Sequence, residues 1–176
     1  NTDKVVTLIE EIRTMKLRLD APDVNTSEFK FTVNDEGRII YGLGAIKGVG
    51  EGPVEAITEA RRNGPFKDLF DFCARVDLKR INKRTLDGLI RSGALDRLGP
   101  CFHDEPKAYQ ASIDQNRAIL LTAMEGAIKA AEQTARTHDS GHADLFGGLF
   151  VEADADVYAN HRKAKELTLK ERLKGE

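Results

Sequence analysis

The chain has 176 residues, of which 40% are hydrophobic and 32% charged, a mix typical of one soluble globular domain or two small ones. Sparse aromatic residues (6%) and the absence of tryptophan favour a helical protein over a β-sandwich. The net charge of −2 excludes a protein that is basic throughout, so any nucleic-acid surface must be local. Two distant cysteines, Cys73 and Cys101, and the lack of a long apolar run favour a cytoplasmic protein with no membrane partner.

The first forty residues predict a helix followed by a β-hairpin. Apolar residues recur at helical spacing between Asp3 and Lys16. A turn-rich stretch, residues 20–28, separates this helix from two short alternating segments around a turn at residues 34–38. The residues expected on the buried face of the hairpin are Phe29, Phe31 and Val33.

Three short helices are predicted after a glycine-rich stretch, residues 42–53. The first stops at Asn63–Gly64, because glycine and a following proline commonly end a helix. The second spans Phe66–Val76, and the third runs from an N-cap at Asn82 to Arg91. The first helix is indicated by the spacing of Val54, Ile57, Thr58 and Arg61. Phe66, Leu69, Phe70 and Cys73 are expected to face inward from the second helix, and Leu86, Leu89 and Ile90 share one side of the third.

The second half of the chain is predicted to contain one long helix and a polar segment. A turn at Ser92–Ala94 leads to a short helical segment that stops at Gly99–Pro100, and an irregular loop follows at residues 101–109. The long helix spans residues 111–136, and a charged helical tail is predicted for residues 161–176. The predicted regions are 1–40 (helix and hairpin), 41–136 (central helical domain) and 137–176 (polar segment and tail).

The stretch KGVGEGP, which begins at Lys47, has the features of an anion-binding turn. Gly48 and Gly50 let the backbone turn sharply and come close to a ligand, while Val49 points into the core. The following helix begins with unpaired N–H groups, which attract anions. The pattern is typical of a helix-hairpin-helix, which holds a nucleic-acid phosphate through backbone amides. The alternative is a glycine-rich joint that only lets two elements pack closely.

A second turn, Ser92–Ala94, lies beside a concentration of basic residues. Two phosphate-binding turns next to a basic surface would hold duplex DNA by its backbone, without reading bases. The alternative is a solvated helix face. Seven basic residues (Arg75, Lys79, Arg80, Lys83, Arg84, Arg91 and Arg97) stand against three acidic ones (Asp77, Asp87 and Asp96), a local charge of +4.

No catalytic centre or metal site is predicted. His138 and His142 have the spacing of zinc ligands on a helix, but no third ligand is spaced to match. His103, Asp104 and Glu105 form a polar cluster without a nucleophile or a base partner. The chain is therefore not predicted to be a catalyst by itself.

The pentapeptide HADLF, residues 142–146, is an apolar island in a polar stretch. Its Leu-Phe pair is either a small local anchor or a peptide ligand for a groove on another protein. The pattern alone favours the local anchor.

Four motifs, in this order, resemble one region of a family of bacterial replicative DNA polymerases, the α subunits of DNA polymerase III. They are YGLGAIKGVGEGPVEAITEAR, FKDLFDFCARVD, INKRTLDGLIRSGALDRLG and GHADLFGG. The matching region lies in the C-terminal part of the subunit, from the end of the fingers through a tandem helix-hairpin-helix. The resemblance covers nearly all of residues 1–150 and implies a mainly α fold with one small β-hairpin.

The resemblance implies non-specific binding of double-stranded DNA and a clamp-binding peptide at HADLF, so that clamp binding becomes the favoured interpretation of that motif. His142 stands where the family usually has Gln. The implied DNA-binding residues are Lys47, Gly48, Val49, Gly50, Gly52, Arg80, Lys83, Arg84, Ser92, Gly93 and Ala94. The implied clamp-binding residues are His142, Asp144, Leu145 and Phe146.

The resemblance also implies partners and cofactors. The partners are double-stranded DNA, the sliding clamp and the rest of the DNA polymerase III holoenzyme. The metal-binding aspartates of this nucleotidyltransferase family lie in the palm, outside the four motifs, so Mg²⁺ is expected only there. No cofactor is expected in this chain, and a monovalent cation in a hairpin is left open.

Two other functions are weighed against this one. A helix-hairpin-helix module of a DNA repair nuclease or glycosylase would need catalytic carboxylates or a lysine in a cleft, which the pattern does not provide. In a pure protein-interaction module the hairpins would only pack. Charge reversal at Lys83 and Arg84 separates this last reading from DNA binding.

Overall fold

The computed structural model describes residues 2–102, 106–139 and 156–161. Within them the chain is mainly helical with a small sheet, as predicted. The helices are α1 (Thr2–Thr14), α2 (Glu51–Arg61), α3 (Leu69–Arg75), α4 (Lys83–Arg91) and α5 (Pro106–Asp139). The strands are β1 (Leu19–Asp20), β2 (Thr32–Val33) and β3 (Ile39–Ile40), and single 3₁₀ turns occupy Leu43–Ala45, Asp96–Leu98 and Ala159–His161.

The predicted β-hairpin is present, and the sheet contains one further strand. β2 and β3 are antiparallel, and between them the Asn34 side chain accepts hydrogen bonds from the amides of Glu36 and Arg38. Gly37, with φ of +72°, completes this turn. β1 pairs with β3 in parallel, so the strand order is β1-β3-β2. The sequence did not predict β1 because this pairing joins residues twenty positions apart.

The predicted buried face of the hairpin is wrong at one position. Val33 is 66% exposed. β2 is an edge strand only two residues long, so the alternation of inward and outward side chains does not extend back to Phe29. Phe31 instead packs against Tyr41, with ring centroids 4.8 Å apart. The Phe29 ring fills the space beside Gly44, where a Cβ would lie 2.4 Å from the ring.

Local capping explains where the short helices begin and end. The Asn82 side chain accepts a hydrogen bond from the amide of Thr85 at 2.9 Å, which confirms it as the N-cap of α4. Asp68 caps α3 in the same way, so this helix begins at Leu69 and is shorter than predicted. The chain after α2 turns at Gly64, with φ of +106°.

Two segments after α4 differ from their predictions. The segment expected to restart a helix forms only the 3₁₀ turn Asp96–Leu98, because the buried Asn116 side chain binds the carbonyl of Asp96 and the amide of Cys101. α5 begins at Pro106 rather than at residue 111, since proline fits the first helical position. The irregular loop is therefore shorter than predicted.

One hydrophobic core joins these elements. It is formed by the inward faces of α2, α3, α4 and the middle of α5, and by Val24, Leu43 and Val49 from the connecting segments. Phe72 is fully buried although it was not among the predicted core positions, whereas Phe70 is only partly buried. None of the described helices combines the length and apolarity needed to span a membrane.

Tyr158 attaches a later segment to this core. Its side chain is 4% exposed, and its hydroxyl accepts a hydrogen bond from the Leu69 amide at 2.8 Å and donates one to the Leu98 carbonyl at 2.6 Å. The sequence did not predict this contact, because a lone tyrosine in a polar stretch carries no periodic signal. The predicted helical tail after His161 lies outside the described residues.

Candidate nucleic-acid interface

The first glycine turn, Gly48–Gly50, is held in place from the core side. Val49 is 5% exposed and its amide donates to the Ile46 carbonyl at 3.1 Å. Gly48 has φ of +83°, a conformation that residues with a Cβ rarely adopt, and a Cβ there would meet nothing within 4 Å. Gly50 is the N-cap of α2 and offers no side-chain cap. The turn therefore presents bare backbone to solvent.

Four backbone amides at this turn point away from any acceptor in the part of the chain that the structure describes. Those of Gly48, Gly50, Glu51 and Gly52 donate to no protein atom within the described residues. Three of them lie at the start of α2, where the helix dipole adds a partial positive charge. We call these four N–H groups the amide cluster. Its chemistry suits an anion that accepts several hydrogen bonds, such as a backbone phosphate.

Two small residues of α4 support the turn. The Thr85 hydroxyl donates to the Gly48 carbonyl at 3.3 Å. A Cβ on Gly88 would lie 3.2 Å from the Lys47 carbonyl, so glycine allows the close approach of α4 to the turn. Sequence reasoning missed both residues. Their only signal is a small side chain on the inward face of a helix.

Two of the predicted cations, Lys47 and Arg84, lie beside the turn. Lys47 directly precedes Gly48 and is exposed. Arg84 is exposed on α4, next to Thr85 and one turn before Gly88. Within the described part of the chain, neither side chain forms a salt bridge. Both can therefore attract a phosphate bound at the amide cluster.

Of the other predicted cations, all except Lys79 pair with carboxylates within the described residues. Lys83 pairs with Glu125 of α5, and its hydrogen bond lowers the pKa of that carboxyl. Arg80 bridges Glu55 and Glu59 of α2. The predicted local charge of +4 is thus mostly compensated by acidic partners, three of which, Glu55, Glu59 and Glu125, lie on α2 or α5. The remaining pairs are Arg75–Asp71, Arg91–Asp87 and Arg97–Asp23.

The second predicted turn, Ser92–Ala94, has a different geometry. The Gly93 amide donates to the Ile90 carbonyl and the Ala94 amide to the Leu89 carbonyl, so this turn closes the C-terminus of α4. Ser92 donates to Gly88 in the same way. Gly93 and Ala94 are buried. All three amides already have protein acceptors, in contrast to the amide cluster.

A buried ion pair covers the second turn. Arg117 of α5 contacts both carboxylate oxygens of Asp96, at 2.9 and 2.8 Å, and donates to the Arg91 carbonyl. The two side chains are 15% and 5% exposed. A Cβ on Gly93 would lie 2.4 Å from the Arg117 guanidinium, so glycine is required here both by φ of +90° and by space.

The predicted clamp peptide lies outside the described residues, as do His103, Asp104 and Glu105. Among the residues that the structure describes, no group of three or more His, Cys, Asp or Glu side chains is placed to hold a metal ion.

Known proteins provide a matching family model for part of the chain and similar sequences for all of it. A family model described as a helix-hairpin-helix motif matches residues 16–102, which include both turns. The whole chain is 92% identical to part of the DNA polymerase III subunit alpha of Pseudomonas fluorescens and 80% identical to that of Pseudomonas aeruginosa. The chain is therefore similar over its whole length to a segment of DNA polymerase III α subunits.

The match to this family is a match to a segment. The chain spans 15% of the length of the two Pseudomonas relatives. The Escherichia coli K12 subunit is 48% identical over 155 residues, which is 88% of this chain and 12% of that protein. The resemblance drawn from the four motifs is confirmed, and so is the helix-hairpin-helix class of the fold.

Proposed function

We propose that this segment binds double-stranded DNA without sequence preference, by holding a backbone phosphate at the amide cluster. The observation that carries the proposal is the exposed turn with four unpaired N–H groups, flanked by Lys47 and Arg84. Backbone amides and flexible cations recognise phosphates and leave the base edges unread, so the sequence of the duplex is not expected to matter.

The proposed binding site is narrower than the predicted set of residues. Lys47, Gly48, Gly50, Gly52 and Arg84 would contact or attract the phosphate directly. Val49 would anchor the turn from the core side. Contacts from Lys83 would require DNA to displace Glu125, and contacts from Ser92–Ala94 would require amides that already have acceptors to serve a second one.

In the longer protein, this segment would hold the duplex behind the polymerase active site. The catalytic aspartates and Mg²⁺ would belong to another part of the subunit, and the partners would be the rest of the holoenzyme. The proposed location is the cytoplasm, where bacterial DNA is replicated.

The proposal includes tethering to the sliding clamp through residues 142–146. Leu145 and Phe146 would enter an apolar pocket of the clamp, while His142 and Asp144 would supply polar contacts. A tether raises the effective concentration of the polymerase at the DNA end, so it increases processivity without tighter DNA contacts.

The first test is a salt titration of the 176-residue chain with two unrelated duplexes and one single strand. We expect equal affinities for the duplexes, weaker binding of the single strand, and a log–log slope of about −0.9 per neutralised phosphate. K47Q/R84Q should weaken binding to both duplexes alike, whereas the charge-matched control K4Q/K67Q should not. Unequal duplex affinities, or equal effects of the two double variants, would contradict the proposal.

The clamp contact is tested separately, by binding of a purified sliding clamp. L145A/F146A should abolish capture of the clamp and leave duplex affinity unchanged, because the peptide is proposed to act on the clamp alone. Unchanged capture would contradict the assignment of this peptide.

A further inference from the structure

Arg80 lies in the connection between α3 and α4, and its side chain is held against α2. The connection from α3 to α4 turns at Asp77, whose backbone carbonyl accepts the amides of Arg80 and Ile81. Ile81 is 2% exposed and anchors this connection in the core. The Arg80 side chain, 29% exposed, then extends to Glu55 and Glu59 on α2. Its guanidinium donates one hydrogen bond to each carboxylate, from a different terminal nitrogen in each case.

The two carboxylates belong to an acidic row on the helix that carries the amide cluster. Glu51, Glu55 and Glu59 are spaced four residues apart, so they lie on one face of α2. Glu55 lies four residues after Glu51, the first residue of α2, which is about 6 Å along the helix axis at a rise of 1.5 Å per residue. That distance is shorter than the Debye length of about 8 Å at physiological salt, so its charge reaches a phosphate bound at the cluster.

We propose that Arg80 promotes DNA binding indirectly, as a counter-ion that offsets part of the negative charge of Glu55 and Glu59 behind the amide cluster. This inference rests on the proposed function. Arg80 is a positioning residue in this view and does not contact the phosphate. Its two hydrogen bonds also fix the carboxylates on the side of α2 that faces the α3–α4 connection, which keeps them from turning toward the bound anion.

The charge count of this group leads to a specific test. Arg80 with Glu55 and Glu59 carries a net charge of −1, and R80Q changes it to −2. R80Q/E55Q restores −1 without restoring the guanidinium. If Arg80 acts only as a counter-ion, the double variant should bind duplex DNA like the unaltered chain.

The experiment measures duplex affinity of the 176-residue chain and these variants at low and at physiological salt. We expect R80Q to bind about threefold more weakly at low salt, with a smaller loss at physiological salt as screening increases. R80Q/E55Q should return to within about twofold of the unaltered chain, and E55Q alone should bind more tightly. Thermal unfolding of each variant verifies that the fold is retained.

Two results would overturn the inference while leaving the proposed function intact. If R80Q and R80Q/E55Q are equally weak, and the slope of the salt titration falls by about one in both, then Arg80 itself contacts a phosphate. If R80Q binds like the unaltered chain, the acidic row does not reach the bound anion. Absence of duplex binding by the unaltered chain would instead refute the proposed function, and this inference with it.

Discussion

The two glycine turns resemble each other in sequence and differ in the use of their backbone amides. Gly48 and Gly93 both have positive φ, +83° and +90°. The turn around Gly48 leaves the four N–H groups of the amide cluster without an acceptor among the described residues, whereas the turn around Gly93 bonds its amides to α4 and is covered by Arg117. The first turn has the free N–H donors that the proposed phosphate site requires, and the second joins α4 to the rest of the core.

This difference shows that a glycine at positive φ indicates a turn but not its role. The role depends on which groups lie across from the turn. At Gly48 that space is empty, and at Gly93 it contains a buried ion pair. A tandem pattern in the sequence is therefore compatible with one ligand-binding turn and one structural turn.

The largest expected effect separates the two glycines by stability. G93A places a Cβ against the Arg117–Asp96 pair, and breaking a buried pair costs about 3–5 kcal/mol. G48A meets open space and should cost only about 1–2 kcal/mol, from the left-handed backbone conformation. Urea unfolding of both variants measures the difference. Equal losses would show that the second turn is not held by this pair.

A smaller effect separates the cations beside the two turns. Lys47 precedes the amide cluster and has no ion pair in the described part of the chain, while Arg97 follows the second turn and pairs with Asp23 at 3.0 Å. K47Q should lower duplex affinity about fivefold and reduce the salt slope by about one, as expected for a lost phosphate contact. R97Q, with the same change in charge, should stay within about twofold. A larger loss in R97Q would place DNA at the second turn as well.

The parts of this fold that follow from local sequence could be predicted. Asn82 as a cap, Gly64 after α2 and the buried Val49 each depend on residues a few positions away. The positive φ of Gly48 belongs to the same group. These features concern the conformation of the chain itself, which short patterns specify well.

Features that join distant segments could not be predicted. The pairing of β1 with β3 and the ion pairs of Arg80 depend on which elements meet in space. The basic concentration between Arg75 and Arg97 suggested a cationic surface because the sequence count did not include Glu55, Glu59 or Glu125. The sequence therefore predicted the conformation of the first turn, while the ion pairs of the cations around it became clear only from the structure.

A further substitution tests whether the residues around the second turn have a structural role. Tyr158 donates to the Leu98 carbonyl, in the 3₁₀ turn just after Gly93 and Ala94. Y158F removes this bond and the one accepted from Leu69, and should cost about 1–2 kcal/mol of unfolding free energy. Duplex affinity should not change. A loss of affinity without a loss of stability would contradict the structural role of this region.

The unfolding free energy at alkaline pH provides a second test of the role of Tyr158. Burial raises the pKa of the Tyr158 hydroxyl above its ordinary value of about 10. The folded state therefore holds this proton more tightly than the unfolded state, so the stability from the neutral hydroxyl is complete below about pH 10 and is lost as the pH rises above it. The buried Cys73 thiol, with its pKa raised to about 12, contributes a similar decline that starts near the pKa of the thiol in the unfolded chain.

Unfolding free energies measured from pH 8 to 11 should thus fall for the unaltered chain, by up to about 1.4 kcal/mol per pH unit for each such group. Y158F should remove the tyrosine part of the decline and retain the cysteine part, because phenylalanine has no proton to lose. If the unfolding free energies of Y158F and of the unaltered chain fell in parallel, the Tyr158 hydroxyl would be exposed to solvent. Its hydrogen bonds would then not stabilise the segment after the second turn.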